Sequence, residues 1–102
     1  MERGIQYYEW DMIEEAILEF KKITHTLGIN ASKLDYSNIK LLARAHHNLA
    51  VAYAKKQWYA EAIIEAKKAF MFYPSDENKQ VLELIKTKYT SKEGSKKKTI
   101  NP

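Results

Sequence analysis

Seven residues between positions 49 and 74 constrain the fold of this chain more than any other feature of its sequence. They are Leu49, Ala50, Tyr53, Tyr59, Ala62, Ala69 and Pro74. Their spacing is that of a helix–turn–helix hairpin, with alanines where two helices approach closely, large side chains that fill the gap between the helices, and a proline at the end of the second helix. The sequence therefore predicts packed helices.

The pattern resembles the tetratricopeptide repeat (TPR) family, whose unit is 34 residues long. The matching complete unit is residues 43–76. The resemblance implies an all-α fold, with about five helices in TPR-like antiparallel hairpins that form a short right-handed solenoid. Gln57 occupies the turn position that the family usually gives to glycine. Gln57 is therefore expected to take a left-handed backbone conformation, unless the turn differs.

The helices of this complete unit can be placed from their capping residues. Asp35 or Ser37 is expected to cap the first helix, because both side chains can accept a hydrogen bond from a free backbone N–H. That helix would run to about Lys56. The second is predicted from about Tyr59 to Tyr73 and is ended by the proline that follows it.

A partial unit is predicted at 4–27, because four residue pairs repeat at a separation of 46 positions. The pairs are Tyr7 and Tyr53, Ile13 and Tyr59, Ala16 and Ala62, and Phe20 and Ala66. A 34-residue period then requires an insertion of 12 residues, which is assigned to 24–40 as a longer loop and extra helical turns. A short helix is expected over 3–9, followed by a helix to about Ile23 that Asp11 caps and Gly28 stops.

A last helix is predicted over 76–89, capped by Ser75 or Asp76. Its apolar face would consist of Val81, Leu82, Leu84 and Ile85. Final repeats need an element that covers their open side, and this helix suits that role. The helical domain is thus assigned to 1–90, and 91–102 is predicted to be a disordered basic tail.

The charge of the chain is divided between these two parts. The formal net charge is +4, but residues 1–85 hold 11 Lys or Arg and 12 Asp or Glu, which sum to −1. Residues 86–102 hold six lysines and one acid and sum to +5. Such a tail is expected mainly to keep the chain solvated, and binding of nucleic acid or an anionic membrane by counterion release is the alternative.

Composition excludes several kinds of protein. The sequence contains no cysteine, which excludes disulfides and thiolate metal sites. No stretch approaches the roughly 18 apolar residues of a membrane-spanning helix. The N-terminal residues have no apolar signal core, so a cytoplasmic location is expected.

The three histidines do not predict a catalytic or metal site. His46 and His47 are adjacent, so on a helix they project about 100° apart and cannot chelate one ion together. His46 is expected to be packed in the core, and His25 to lie near a helix C-terminus. The TPR resemblance places His47 on the face that forms the concave groove of such domains. No nucleophile–histidine arrangement or glycine-rich phosphate loop is present. We therefore expect no enzyme activity, no cofactor and no small-molecule substrate.

The resemblance also implies where a partner would bind, since TPR domains present the first helix of each unit to a peptide. The groove residues carried over by position are Ile5, Tyr8, Glu9, Arg44, His47, Asn48, Val51, Ala54 and Lys55. Asn48 coincides with an asparagine that holds peptide backbone or a terminal carboxylate in chaperone-binding TPR domains. The other positions of that clamp are Met1, Ile5, Asn78 and Leu82, so chaperone C-termini are not expected as ligands.

Three functions remain open at this stage. The first is an adaptor or scaffold that binds a peptide or a helical segment of a partner protein in the groove. The second is self-assembly into a homo-oligomer, because several aromatic residues need not all be buried in one copy. These residues are Tyr7, Tyr8, Trp10, Trp58, Phe70 and Phe72. The third is polyanion binding by the lysines of the tail.

Overall fold

The computed structural model describes the backbone of residues 1–100 and the side chains of residues 1–91. This part of the chain contains five α-helices, one short 3-10 helix and no strand. The α-helices are α1 (Glu2–Glu9), α2 (Ile13–Gly28), α3 (Tyr36–Lys55), α4 (Tyr59–Phe72) and α5 (Asp76–Ile100), and the 3-10 helix is Ala31–Lys33. The predicted all-helical class and the number of helices are confirmed. In addition, α1 packs on α2, α2 on α3, α3 on α4 and α4 on α5.

The turn between α3 and α4 is closed by two backbone hydrogen bonds. The Trp58 N–H donates to the Tyr53 carbonyl at 2.9 Å, and the Gln57 N–H donates to the Ala54 carbonyl at 2.9 Å. This pair of bonds is the Schellman motif, in which the residue after the helix takes a left-handed conformation. Gln57 does so, with φ at 63°. The left-handed geometry expected at Gln57 is therefore confirmed.

The turn between α1 and α2 has the same two bonds, 46 positions earlier. The Met12 N–H donates to the Tyr7 carbonyl at 2.8 Å, and the Asp11 N–H donates to the Tyr8 carbonyl at 3.0 Å. Asp11 has φ at 61°. The prediction that Asp11 caps α2 is wrong, because the N-cap is Met12 and no side chain bonds to that helix end. Asp11 instead ends α1, since a short polar side chain tolerates the left-handed region.

Replacing Asp11 with glycine is expected to raise the free energy of unfolding by about 1 kcal/mol, because glycine adopts positive φ without the steric cost of a Cβ. Replacing Asp11 with valine should lower the free energy of unfolding, since a β-branched residue is strained at this φ. Urea unfolding of the two variants measures both effects. A glycine variant less stable than the natural chain would contradict the assigned turn.

Residues of α2, α3, α4 and α5 form the buried core, and Gly4 of α1 packs against its Phe20. Its buried members are Ile13, Ala16, Ile17, Phe20, Leu49, Ala50, Ala52, Tyr53, Ala62, Ala66, Leu82 and Ile85. Many are alanines, so the helix axes can approach closely. Of the residues expected to shape the hairpin, Ala69 is also buried and Tyr59 packs partly buried against the core. Pro74 follows the end of α4.

The segment 24–40 combines helix extension with a short connection. Helix α2 continues to Gly28, and a 3-10 turn precedes the start of α3 at Tyr36. The Asp35 carboxylate accepts a hydrogen bond from the Asn38 N–H at 2.9 Å. Of the two predicted caps for this helix, Asp35 is the one that acts.

Helix α5 differs from the prediction at its C-terminal end. It begins as expected, with the Ser75 hydroxyl accepting a hydrogen bond from the Asn78 N–H at 3.1 Å. Its backbone then continues to Ile100, past the predicted end at Tyr89 and through most of the segment 91–102 that was expected to be disordered. The disorder predicted for 91–102 stays a prediction, and lysine and glutamate are compatible with a helical backbone where no proline interrupts it.

No helix in the described part of the chain is both long enough and apolar enough to cross a membrane.

Candidate functional site

The residues predicted to form a groove lie on one face of α1 and α3. On α3 they recur every three or four positions, which places their side chains on the same side of the helix. On α1, Ile5 and Tyr8 are three positions apart and also share a face. In the structure these two faces, together with one face of α5, line two pockets, which we call the polar pocket and the apolar pocket. Together they are called the groove below.

The polar pocket has a volume of ≈ 320 Å³ and lies at the end of the groove where α4 connects to α5. Helix α1 contributes Ile5, and the connection contributes Tyr73 and Ser75. The remaining lining residues are Lys40, Ala43, Arg44, His47 and Asn48 from α3 and Glu77 and Asn78 from α5. Four of the residues predicted from the sequence therefore meet here.

Asn78 holds the wall of the polar pocket in place. It is buried, and its Nδ2 donates to the carbonyls of Tyr73 at 2.8 Å and Ala69 at 3.3 Å. Carbonyls only accept hydrogen bonds, so the amide orientation is determined and Oδ1 faces the Nδ1 of His47 at 2.8 Å. His47 must then carry a proton on Nδ1. Its other ring nitrogen lies 3.8 Å from a carboxylate oxygen of Glu77.

An aromatic pair, of which Tyr36 is exposed and Tyr73 partly buried, adjoins the polar pocket. The rings of Tyr36 and Tyr73 meet edge to face with centroids 6.3 Å apart. The Lys40 Nζ lies 5.9 Å from the Tyr36 centroid and 5.5 Å from the Tyr73 centroid. A hydrogen bond with Tyr73 raises the pKa of the Tyr36 phenol above its ordinary value. The Tyr36 phenol therefore stays neutral at physiological pH, and the charge beside the two rings is that of Lys40.

The apolar pocket, with a volume of ≈ 260 Å³, lies further along the same helices. It is lined by Tyr8 of α1, Tyr59 of α4, and residues of α3 and α5. These are Val51, Ala54 and Lys55 from α3 and Val81, Leu84, Ile85 and Lys88 from α5. Leu84 is 57% exposed although it was predicted to belong to the packed face of its helix. Its apolar surface is thus presented to the pocket rather than to the core.

Eight of the nine assigned groove residues line one of these two pockets, and Glu9 lines neither. The Asn48 amide is turned toward the N-terminus, where Nδ2 donates to the Met1 Sδ at 3.2 Å. The sequence interpretation did not assign the α5 residues to the groove. A signal was available, because positions 78, 81, 85 and 88 follow positions 44, 47, 51 and 54 at one 34-residue period.

A cleft of ≈ 660 Å³, bounded by α2, α3 and α4, contains the other two histidines. His46 is buried, as predicted, with Nδ1 3.1 Å from a Glu65 carboxylate oxygen and its ring stacked on Phe72 at 5.7 Å. His25 lies in the last turn of α2, also as predicted. Within the described residues no group of three or more His, Cys, Asp or Glu side chains could hold a metal ion.

The remaining sequence expectations concern aromatic exposure and the basic tail. Trp10 and Trp58 are 63% and 46% exposed, whereas Tyr7, Tyr8, Phe70 and Phe72 are at least partly buried. Self-assembly through the exposed pair stays a prediction. Lys86 and Lys88 are exposed on α5, and the other tail lysines lie outside the residues whose side chains are described.

No family model matches the chain, and no curated protein matches its sequence.

Proposed function

We propose that this chain is a non-enzymatic protein-interaction module with a TPR-like architecture, and that it binds a segment of a partner protein in the groove. The observation that carries the proposal is the convergence of residues that were assigned by their positions in the repeat that the sequence resembles. Arg44, His47 and Asn48 meet in the polar pocket, and Tyr8 and Val51 meet in the apolar pocket. A cleft with an apolar part and a few polar groups is the usual form of a site that recognises a segment.

The TPR-like part of the proposal rests on internal repetition. The two helical turns have the same hydrogen bonds at a separation of 46 positions. From α3 to α5 the groove-lining positions follow the 34-residue period of the family. Both separations are consistent with repeated hairpins in which the first hairpin is followed by an insertion of 12 residues.

The double substitution Arg44→Glu and Val51→Asp tests the groove as a binding surface. We expect it to weaken binding of peptides selected by the natural chain from a random-peptide display library by at least tenfold, since it reverses one charge and buries another at the interface. Isothermal titration with the selected peptides measures the loss. Circular dichroism and unfolding curves establish that the variant is folded.

The matched control carries the same chemical changes on α4, at Lys67→Glu and Ile64→Asp. Both positions are exposed and neither lines the groove. The control should bind the selected peptides as the natural chain does. If no selected peptide discriminates between the groove variant and the control, the groove is not the binding surface and the proposal is wrong.

A further inference from the structure

We propose that the segment recognised by the groove is acidic and amphipathic, with one large apolar side chain in the apolar pocket and a carboxylate at Arg44 about 10 Å away. This inference rests on the proposed function and adds the chemistry of the partner. It follows from the charge of the groove, the pairing of its cations and the distance between its two pockets.

The groove has the opposite charge to the body of the protein. Four cations line its two pockets, Lys40, Arg44, Lys55 and Lys88, and the lining contains one carboxylate, that of Glu77. The formal charge of the lining is therefore +3, and without Lys88 its residues within 1–85 sum to +2, whereas residues 1–85 as a whole sum to −1. A positive cleft on a nearly neutral body attracts acidic ligands and repels basic ones.

The four cations of the groove are also available to a ligand. Among residues 1–91, none of them lies within ion-pair distance of a carboxylate. Lysines elsewhere do form such pairs: Lys56 with Glu14 at 3.0 Å and Lys68 with Glu65 at 3.7 Å. A ligand carboxylate would thus meet cations whose charge no acid of this part of the chain already neutralises. Arg44 is the best placed, because a guanidinium can bind a carboxylate through two parallel hydrogen bonds.

The apolar pocket lies among the cations of the groove and can hold a large apolar side chain of the ligand, called the anchor below. Its walls are Tyr8, Val51, Val81 and the exposed Leu84, and its rim carries Lys55 and Lys88. An apolar side chain placed there removes the Leu84 surface from water, which stabilises the complex in proportion to the area buried. Acidic residues next to the anchor would face the two rim lysines. Phosphate groups cannot fill this pocket, and its largely aliphatic lining suits an apolar side chain better than a base that stacks on aromatic faces, so the geometry favours a peptide over a nucleic acid.

The spacing of the two pockets sets the spacing within the ligand. Arg44 and Val51 are seven residues apart on α3, which corresponds to about 10 Å along the helix axis. A ligand spans the same distance with seven residues if it is helical or with about three residues if it is extended. An acid and a large apolar residue should therefore recur at one of these two separations.

The sequences of the peptides selected from the display library test this inference. Only peptides whose binding is lost in the Arg44→Glu and Val51→Asp variant, and kept in the α4 control, are considered. We expect them to be acidic and to contain the acid and the apolar anchor at a separation of three or seven residues. Their affinity should be at least tenfold lower at 200 mM salt than at 50 mM salt, because salt screens the attraction between charges. Glu→Gln and Asp→Asn versions of the best peptide should bind at least tenfold more weakly.

Two charge-only variants extend the test without disturbing the core. Arg44→Glu alone and Lys55→Glu alone change exposed residues and should each reduce affinity for the acidic peptides. Groove-dependent peptides that are neutral or basic would overturn the inference and leave the proposed function standing. Binding that depends on the cations and is unchanged by Val51→Asp alone would also overturn it, in favour of a polyanion. An absence of groove-dependent peptides contradicts the proposed function itself.

Discussion

Gly4→Ala is expected to lower the free energy of unfolding by about 2 kcal/mol, although alanine normally stabilises a helix interior by about 1 kcal/mol relative to glycine. Gly4 is buried in α1. A Cβ built on it would lie 2.5 Å from Cε1 and 2.8 Å from Cδ1 of the Phe20 ring. Phe20 is only 1% exposed, so its ring has no free space into which to move. The added methyl group therefore forces α1 away from α2.

Urea unfolding measures this effect, and the chain provides a matched control. Gly28 is the last residue of α2, and a Cβ there would meet no atom within 4 Å. Gly28→Ala should leave stability unchanged or raise it slightly. Combining Gly4→Ala with Phe20→Leu should cost less than the sum of the two single changes, because the smaller side chain makes room for the methyl group. A Gly4→Ala variant as stable as the natural chain would show that the close contact is absent.

Asn78→Ala is expected to destabilise the fold by about 2–3 kcal/mol, because it leaves buried groups without hydrogen-bond partners. The Asn78 side-chain amide donates hydrogen bonds to the carbonyls of Ala69 and Tyr73 at the end of α4, and its oxygen accepts one from the ring of His47 on α3. Alanine can replace none of these bonds. The connection between α4 and α5 should therefore loosen together with the wall of the polar pocket.

Two measurements separate this role from a general loss of stability. Nitrogen-15 NMR of neutral His47 should show the proton on Nδ1 in the natural chain and a shift toward Nε2 in the variant. Unfolding curves should show a smaller loss, about 1 kcal/mol, for Ser75→Ala, which removes only the cap of α5. Lys79→Ala changes an exposed neighbour and should have almost no effect. If His47 keeps the same tautomer in Asn78→Ala, the assigned network is incorrect.

Local chemistry explains which helix ends the sequence predicts. Asp35 caps α3 because its carboxylate reaches the N–H of Asn38 within the same turn, and Pro74 follows the end of α4 because it has no N–H to donate. Both effects act over a few residues, so they can be predicted from a single sequence. The 46-position repeat is similarly visible, because it recurs in side-chain size and in the turn hydrogen bonds.

Asp11 and α5 show where local chemistry is ambiguous. Aspartate is equally suited to cap a following helix and to occupy the left-handed position that ends a preceding one. The structure gives Asp11 the second role, with φ at 61° and its N–H bonded to the Tyr8 carbonyl. At the end of α5, a polar and lysine-rich composition is compatible with both helix and coil, so the position of its end could not be predicted from residue types.

The candidate groove also contains residues that the sequence predicted and residues that only the tertiary structure revealed. The positions carried over from the repeat that the sequence resembles assigned the groove faces of α1 and α3, and helical spacing explains why Ile5 and Tyr8, and Arg44 and Val51, share a face. The 34-residue period also indicates positions on α5, but how they meet α3 depended on the tertiary structure, in which Asn78 joins α5 to α3 and α4. The sequence by itself thus determined an all-helical chain and the faces of its first helices. Only the tertiary structure decided how α5 lies along the groove, that the cations of the groove remain unpaired within the described residues, and that Leu84 faces the pocket. These properties depend on contacts between residues distant in sequence.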